Sequence, residues 1–249
     1  KYSSSVSSDN NSEKLQEMWK AAEEYNKQIK QESVPDAFSV RDGQTDPVYE
    51  SLLNLNGDGM MGYVEIPVIG ESIPIYHYTT EESLEKGAGH LFGSSLPVGG
   101  SDTHCIISAH RGLPSAKLFS NLDKLEEGDI FMIRTLDQTL TYEVDQIRIV
   151  LPDEVDDLKI EEGKDLCTLV TCTPYGINSH RLLIRGTRIP YDEKYAEKVP
   201  LKPAPAVSDR PAEEQGRKLG TRQWILFAIA AFGVAILLGI LAPSGKKKG

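Results

Sequence analysis

Cysteine is scarce in this 249-residue chain: there are three, Cys105, Cys167 and Cys172. No Cys-x-x-Cys pair occurs, and the usual ligand spacings of a zinc site are missing, which argues against a metal centre. With an odd count, at least one thiol has no partner within the chain. Basic residues are also outnumbered: 27 Lys and Arg against 37 Asp and Glu give a formal net charge of -10. Phosphate contacts need clustered cations, so nucleic acid is excluded as a partner. There is no Gly-rich phosphate loop, and nothing calls for a cofactor. The chain opens on Lys1 and not on methionine. We therefore expect a natural N-terminus upstream, with any signal peptide or first anchor on it. What is present is ordinary: 39% hydrophobic and 26% charged residues, enough for one good-sized domain with appendages.

Residues 1–11 are rich in Ser, Asn and Asp and are expected to be a disordered lead. From Ser12, a candidate N-cap, Leu15, Met18, Trp19, Ala22, Tyr25 and Ile29 recur at helical spacing. Pro35 marks the end of that amphipathic helix, and 33–48 read as loop. Between 49 and 190 come short runs rich in Val, Ile, Thr and Tyr: 63–69, 73–78, 105–110, 130–135, 140–150, 166–171 and 181–189. Such runs, separated by turn residues, predict a mainly β fold closing into a barrel. Asp137-Gln138 predicts a hairpin turn, 115–124 a short helix, and Asn56-Gly-Asp-Gly a tight turn and not a calcium loop. The proline-rich, charged stretch 191–222 reads as a linker. Within 223–242, the run from Trp224 to Leu241 carries no charge. At ~1.5 Å per residue it is about 27 Å long, which predicts a transmembrane helix. A basic tail, 243–249, follows. Cations flank the span on both sides, so they do not set its orientation.

Cys172 ends an apolar β run just before Thr-Pro-Tyr-Gly, which places a thiol at a barrel rim. A buried structural cysteine is the competing reading. Of five histidines, His110 also ends a β run before a turn, whereas His77, His90 and His104 lack such a setting. Arg181 opens the run that follows Cys172. If the two runs form a hairpin, both residues share one edge; Arg185 and Arg188 read as surface arginines. A thiol with a nearby imidazole is the nucleophile and base of acyl transfer. A neighbouring cation favours the thiolate and holds an oxyanion.

Three segments carry a resemblance: Thr-Leu-Val-Thr-Cys-Thr-Pro-Tyr-Gly (168–176), Asn-Ser-His-Arg-Leu-Leu-Ile-Arg-Gly (178–186) and Ser-Ala-His-Arg-Gly-Leu-Pro-Ser-Ala (108–116). They resemble the sortase family. Asn-Gly-Asp-Gly-Met-Met-Gly-Tyr-Val-Glu-Ile-Pro from residue 56 and Gly-His-Leu-Phe-Gly-Ser-Ser-Leu-Pro-Val-Gly-Gly (89–100) are similar to its pilus-building class C. The resemblance implies an eight-stranded sortase barrel on the outer face of a Gram-positive cell membrane. It implies a substrate with a sorting signal like Leu-Pro-x-Thr-Gly, cleaved between Thr and Gly through a thioacyl enzyme on Cys172. His110 would be the acid and base, Arg181 would hold substrate and oxyanion, and Thr171 and Ser108 would line the substrate site. A pilin lysine would be the incoming amine.

Class C resemblance also implies an N-terminal lid with an Asp-Pro-aromatic pattern. Asp36-Ala37-Phe38 keeps the acid and the ring but lacks the proline; Asp36 stands thirteen residues before Tyr49. Asp46-Pro47 keeps the proline but is followed by Val48, with Tyr49 as its ring. Asp36 and Phe38 are preferred, with Asp46 and Tyr49 the alternative. Cys105 and Cys167 each lie five residues before His110 and Cys172. Parallel neighbouring strands would bring them together, as a disulfide or as two small buried side chains. Competing functions are anchoring of proteins to cell-wall peptidoglycan, a hydrolytic cysteine protease, and a non-catalytic membrane-tethered adhesion or scaffold barrel.

Overall fold

The computed structural model describes residues 2–7, 12–29, 34–39, 45–112 and 116–198. Eight strands form a closed barrel: β1 (Met60–Ile66), β2 (Glu71–His77), β3 (Ala88–His90), β4 (Thr103–Ser108), β5 (Ile130–Thr135), β6 (Gln138–Val150), β7 (Asp165–Thr173) and β8 (His180–Ile189). Their spatial order is β1-β2-β3-β4-β7-β8-β6-β5, closed by β5 on β1. Pairs β2–β3 and β4–β7 are parallel and the rest antiparallel. Four short helices accompany them: α1 (Tyr2–Val6), α2 (Ser12–Asn26), α3 (Pro47–Ser51) and α4 (Glu81–Lys86).

The seven expected strands are all present: 130–135 matches at both ends, and the other six shift at one or both ends by up to three residues. The eighth, β3, is only Ala88-Gly89-His90, too short and too poor in β-branched residues to carry a strand signal. The β5–β6 hairpin turns on Leu136 and Asp137, because Thr135 pairs with Gln138. Residues 119–124 form a 3-10 helix in place of the expected helix over 115–124.

The N-terminal region departs further from expectation. Part of the lead is helical, and Tyr2 is buried. Its hydroxyl donates to Met61 O at 2.9 Å and accepts from Leu136 N at 2.9 Å. Ser12 is the first residue of α2 and not its cap, and α2 ends at Asn26, ahead of Ile29 and Pro35. Asn26 fastens this end of the helix to the barrel. Its amide donates to Leu96 O at 3.1 Å and accepts from Leu96 N at 2.7 Å. The expected loop over 33–48 contains the start of α3, where Pro47 occupies the first helical turn and Asp46 caps it. Within the expected linker, Glu193–Lys198 is a 3-10 helix. Among the described residues no helix is long and apolar enough to cross a membrane; the expected span and tail lie outside them.

Strand alternation sorts the apolar residues into two groups. Cys105, Ile107, Cys167, Leu169, Leu182 and Ile184 belong to the barrel core with Phe131, Ile133 and Tyr142. Ile106, Val170 and Leu183 alternate with them, so they lie on the outer face of β4, β7 and β8. There they form a second cluster with Leu91, Val150, Leu158, Val34 and Ala37. That outer wall carries the candidate site.

Candidate active site

Cys172 pairs in register with Arg181 across β7 and β8. The hairpin expected from sequence therefore exists. Cys172 shares the outer face with Val170, and Arg181 shares it with Leu183. On the other side of β7, Ser108 pairs with Val170 in the parallel ladder, and Ala109 N donates to Val170 O at 3.2 Å. Two residues past Ser108, His110 is level with Cys172. The expected trio thus meets at one barrel rim: the end of β4, the end of β7 and the start of β8. His180, one residue from Arg181, falls on the opposite face, and its Nδ1 lies 2.8 Å from Ser179 Oγ.

Residues 34–39, the segment expected to be a lid, lie against this rim. Asp36 takes a two-point ion pair from Arg181, Nε to Oδ1 at 2.6 Å and Nη2 to Oδ2 at 2.7 Å. Both side chains are nearly buried, 11% and 12% exposed. The Phe38 ring lies 5.1 Å from the Arg181 guanidinium and 5.8 Å from the His110 ring. Val34 and Ala37 bury themselves on the outer apolar wall; full burial of a valine stabilises by about 1.5–3 kcal/mol. Opening would rehydrate both charges of the ion pair, so that pair adds less to closure than its short distances imply.

Asp46 and Tyr49 have other work. Asp46 Oδ1 accepts from Val48 N at 2.9 Å and Tyr49 N at 3.0 Å, capping α3. Tyr49 is fully buried beside His77, Tyr78 and Phe92, and its hydroxyl lies 2.8 Å from His90 Nδ1.

Electrostatics describe a resting pair. Burial pushes the Cys172 thiol above its ordinary value; Arg181 opposes this and Asp36 adds to it. Burial lowers His110, against a weaker raising effect of Glu81 and Glu85. Both shifts favour the neutral thiol and the neutral imidazole, while the Asp36 carboxylate engages the guanidinium paired across the strands with Cys172.

Thr171 and Ser108 are both fully buried. Thr171 Oγ1 donates to Ala109 O at 2.8 Å, which joins the end of β7 to the residue after β4. Ser108 Oγ has no partner among the described residues, and its strand position puts it on the outer wall beneath the lid.

Sequence reasoning missed Arg111. Its Nη2 donates to Asp123 Oδ2 at 2.6 Å and its Nη1 to Thr173 Oγ1 at 3.3 Å. Its guanidinium stands 5.9 Å from the Tyr175 ring centre. The available signal was its place directly after His110 in His-Arg-Gly. The other histidines serve the fold. His77 lies between the carbonyls of Gly59 and Leu52, each at 2.9 Å. His90 lies between Tyr49 and Ser95 O, and His104 between Lys159 O and Thr168 Oγ1.

Cys105 and Cys167 are register partners on β4 and β7, as the parallel arrangement predicts, and both thiols are free inside the barrel. Among the described residues no cluster of His, Cys, Asp or Glu has a metal-holding arrangement.

A family model described as the sortase domain matches residues 64–189. Sortase D of Bacillus subtilis is 30% identical over 131 residues, covering 51% of this chain and 63% of that protein. The chain thus spans somewhat under two thirds of the curated relatives it matches. Among solved structures, sortase C of Streptococcus pneumoniae superposes with a TM-score of 0.68 at 47% identity, covering 76% of this chain and 95% of that one. Sortase C1 of Streptococcus agalactiae gives 0.68 at 48%, covering 77% and 96%. Sortase C-1 of Actinomyces oris gives 0.68 at 44%, covering 71% and 99%.

Proposed function

This chain belongs to the sortase family, and we propose that it is a class C cysteine transpeptidase that joins pilin subunits. The observation that carries the proposal is the register pair Cys172–Arg181 with His110 level with it. The class C reading is supported by structural neighbours at 41–48% identity, one of whose studies concerns pilin substrate specificity. It is supported as well by a lid whose Asp36 occupies Arg181.

The chemistry follows from the groups. Once the lid leaves, Arg181 is freed and the Cys172 thiol gives its proton to His110. The thiolate attacks the Thr carbonyl of a Leu-Pro-x-Thr-Gly-like signal, and Arg181 stabilises the oxyanion. The Thr–Gly bond breaks, His110 protonates the departing glycine amine, and a thioester remains on Cys172. A pilin lysine amine then attacks the thioester and gives its proton to His110. Cys172 leaves as thiolate, and an isopeptide bond has replaced the peptide bond. Ser108 lines the sorting-signal groove. The catalytic domain, residues 49–190, works outside the cell membrane, held there by the span at 223–242.

Incubation of the purified protein with a sorting-signal peptide is expected to yield a Cys172 acyl adduct by mass spectrometry. Cys172→Ala is expected to yield none and to lose all pilin joining. Pilin polymer formed by Cys172→Ala would end the proposal. Transfer to a cell-wall amine in place of pilin lysine would instead favour the anchoring function, and release of hydrolysed peptide a protease.

A further inference from the structure

The regular β4–β7 ladder ends at Ala109 N and Val170 O. Past that point no backbone pairing among the described residues ties 110–112 to 172–173. Two side-chain hydrogen bonds take over, one on each side of the reacting pair. Below it, Thr171 Oγ1 bonds to Ala109 O at 2.8 Å. Above it, Arg111 Nη1 bonds to Thr173 Oγ1 at 3.3 Å. Each rung joins the chain neighbour of His110 to the chain neighbour of Cys172. We propose that these two rungs set the spacing of imidazole and thiol, with Arg111 as the positioning residue of the outer rung. The inference rests on the transpeptidase reading above.

The rest of the Arg111 environment fits a brace. Its side chain is only 10% exposed, anchored on Asp123 and packed over Tyr175. The backbone beside it is pinned to the same 3-10 helix: Phe119 N donates to His110 O at 3.2 Å and Gly112 N to Ser120 Oγ at 3.1 Å. Arg111 Nε is buried without a partner among the described residues. The Arg111 guanidinium bonds to Thr173 and Asp123, so the role proposed for it is one of position. Catalysis is sensitive to such placement, since an error near 1 Å costs on the order of 100-fold in rate.

The test measures Cys172 adduct formation from a sorting-signal peptide, with kcat, KM and Tm, for Arg111→Gln, Thr173→Val, the double variant and Arg111→Lys. Alkylation of Cys172 by iodoacetamide, which needs only the thiol, is measured beside it. Each single variant is expected to slow adduct formation on the order of 10- to 100-fold at unchanged KM. The double variant should be no slower than Arg111→Gln, because both remove one rung. Arg111→Lys should recover part of the rate, since an ammonium reaches Thr173 or Asp123 but not both. Alkylation should stay at the wild-type rate. Thr173→Val removes a hydroxyl and no charge, so it keeps the test alive if Arg111→Gln folds poorly. Arg134→Gln, which breaks the ion pair to Glu65 between β1 and β5, controls for stability. Wild-type rates in Arg111→Gln and Thr173→Val would overturn this inference alone. So would an equal loss in Arg134→Gln at matched Tm, or additive losses in the double variant. No adduct on the wild-type protein would overturn the transpeptidase reading and this inference with it.

Discussion

Asp36 acts on both partners of the resting site at once. It neutralises Arg181 through two short hydrogen bonds, and its charge raises the Cys172 thiol. The sign for a neutral variant follows directly. Removing a negative charge beside a thiol favours thiolate, so the apparent pKa of Cys172 should fall in Asp36→Asn. Iodoacetamide alkylation of Cys172 at neutral pH should then quicken, up to about tenfold for one pKa unit. Its pH midpoint should move down. An unchanged rate and midpoint would mean that Asp36 does not cap the site. The trio Cys172, His110 and Arg181 was legible in the sequence because strand ends are local features. The preference for Asp36 over Asp46 was legible too, from its ring at Phe38 and its spacing to Tyr49. What the sequence did not record is that Asp36 pairs with Arg181 while Asp46 caps a helix.

At the level of elements, His104 ties the connection between β6 and β7 to the sheet. Its Nδ1–H donates to Lys159 O and its Nε2 accepts from Thr168 Oγ1, both at 2.7 Å. One donor and one acceptor are what a neutral imidazole offers. Burial first, then Arg185, lowers its pKa to about 4, against Lys159 O, Glu161 and Asp145. The unfolded chain binds this proton near pH 6.5 and the native state only near 4. Stability from His104 is thus fully present above about pH 6.5 and is lost as pH falls toward 4. The loss is on the order of 3 kcal/mol. A Tm profile over pH 4–7 should show that decline, and His104→Gln should flatten it. An equally steep profile in His104→Gln would assign the titration elsewhere. Seven strands were readable from their β-branched runs, but β3 was not. It exists because β2 and β4 offer it edges on either side, a fact of pairing and not of propensity.

For the whole molecule, the N-terminal helices matter more than their sequence suggested. Tyr2 bridges β1 and the β5–β6 turn, and Asn26 fastens α2 to Leu96 with two buried hydrogen bonds. Asn26→Ala leaves Leu96 N–H and C=O unsatisfied and should cost about 1–3 kcal/mol. That is a fall in Tm of roughly 2–4 °C per kcal/mol for a domain of this size, with kcat unchanged. A Tm equal to wild type would show that α2 is not fastened there. By itself the sequence determined the barrel class, the rim position of Cys172, His110 and Arg181, and the family, since periodicity, strand ends and motifs are properties of short stretches. Only the tertiary structure decided that Asp36 pairs with Arg181 and that the Thr171 hydroxyl turns to Ala109 O. It alone showed that Arg111 spans from the His110 loop to the strand of Cys172. Each of these depends on contacts between residues more than thirty positions apart in the chain, which barrel closure brings together and which no local pattern records.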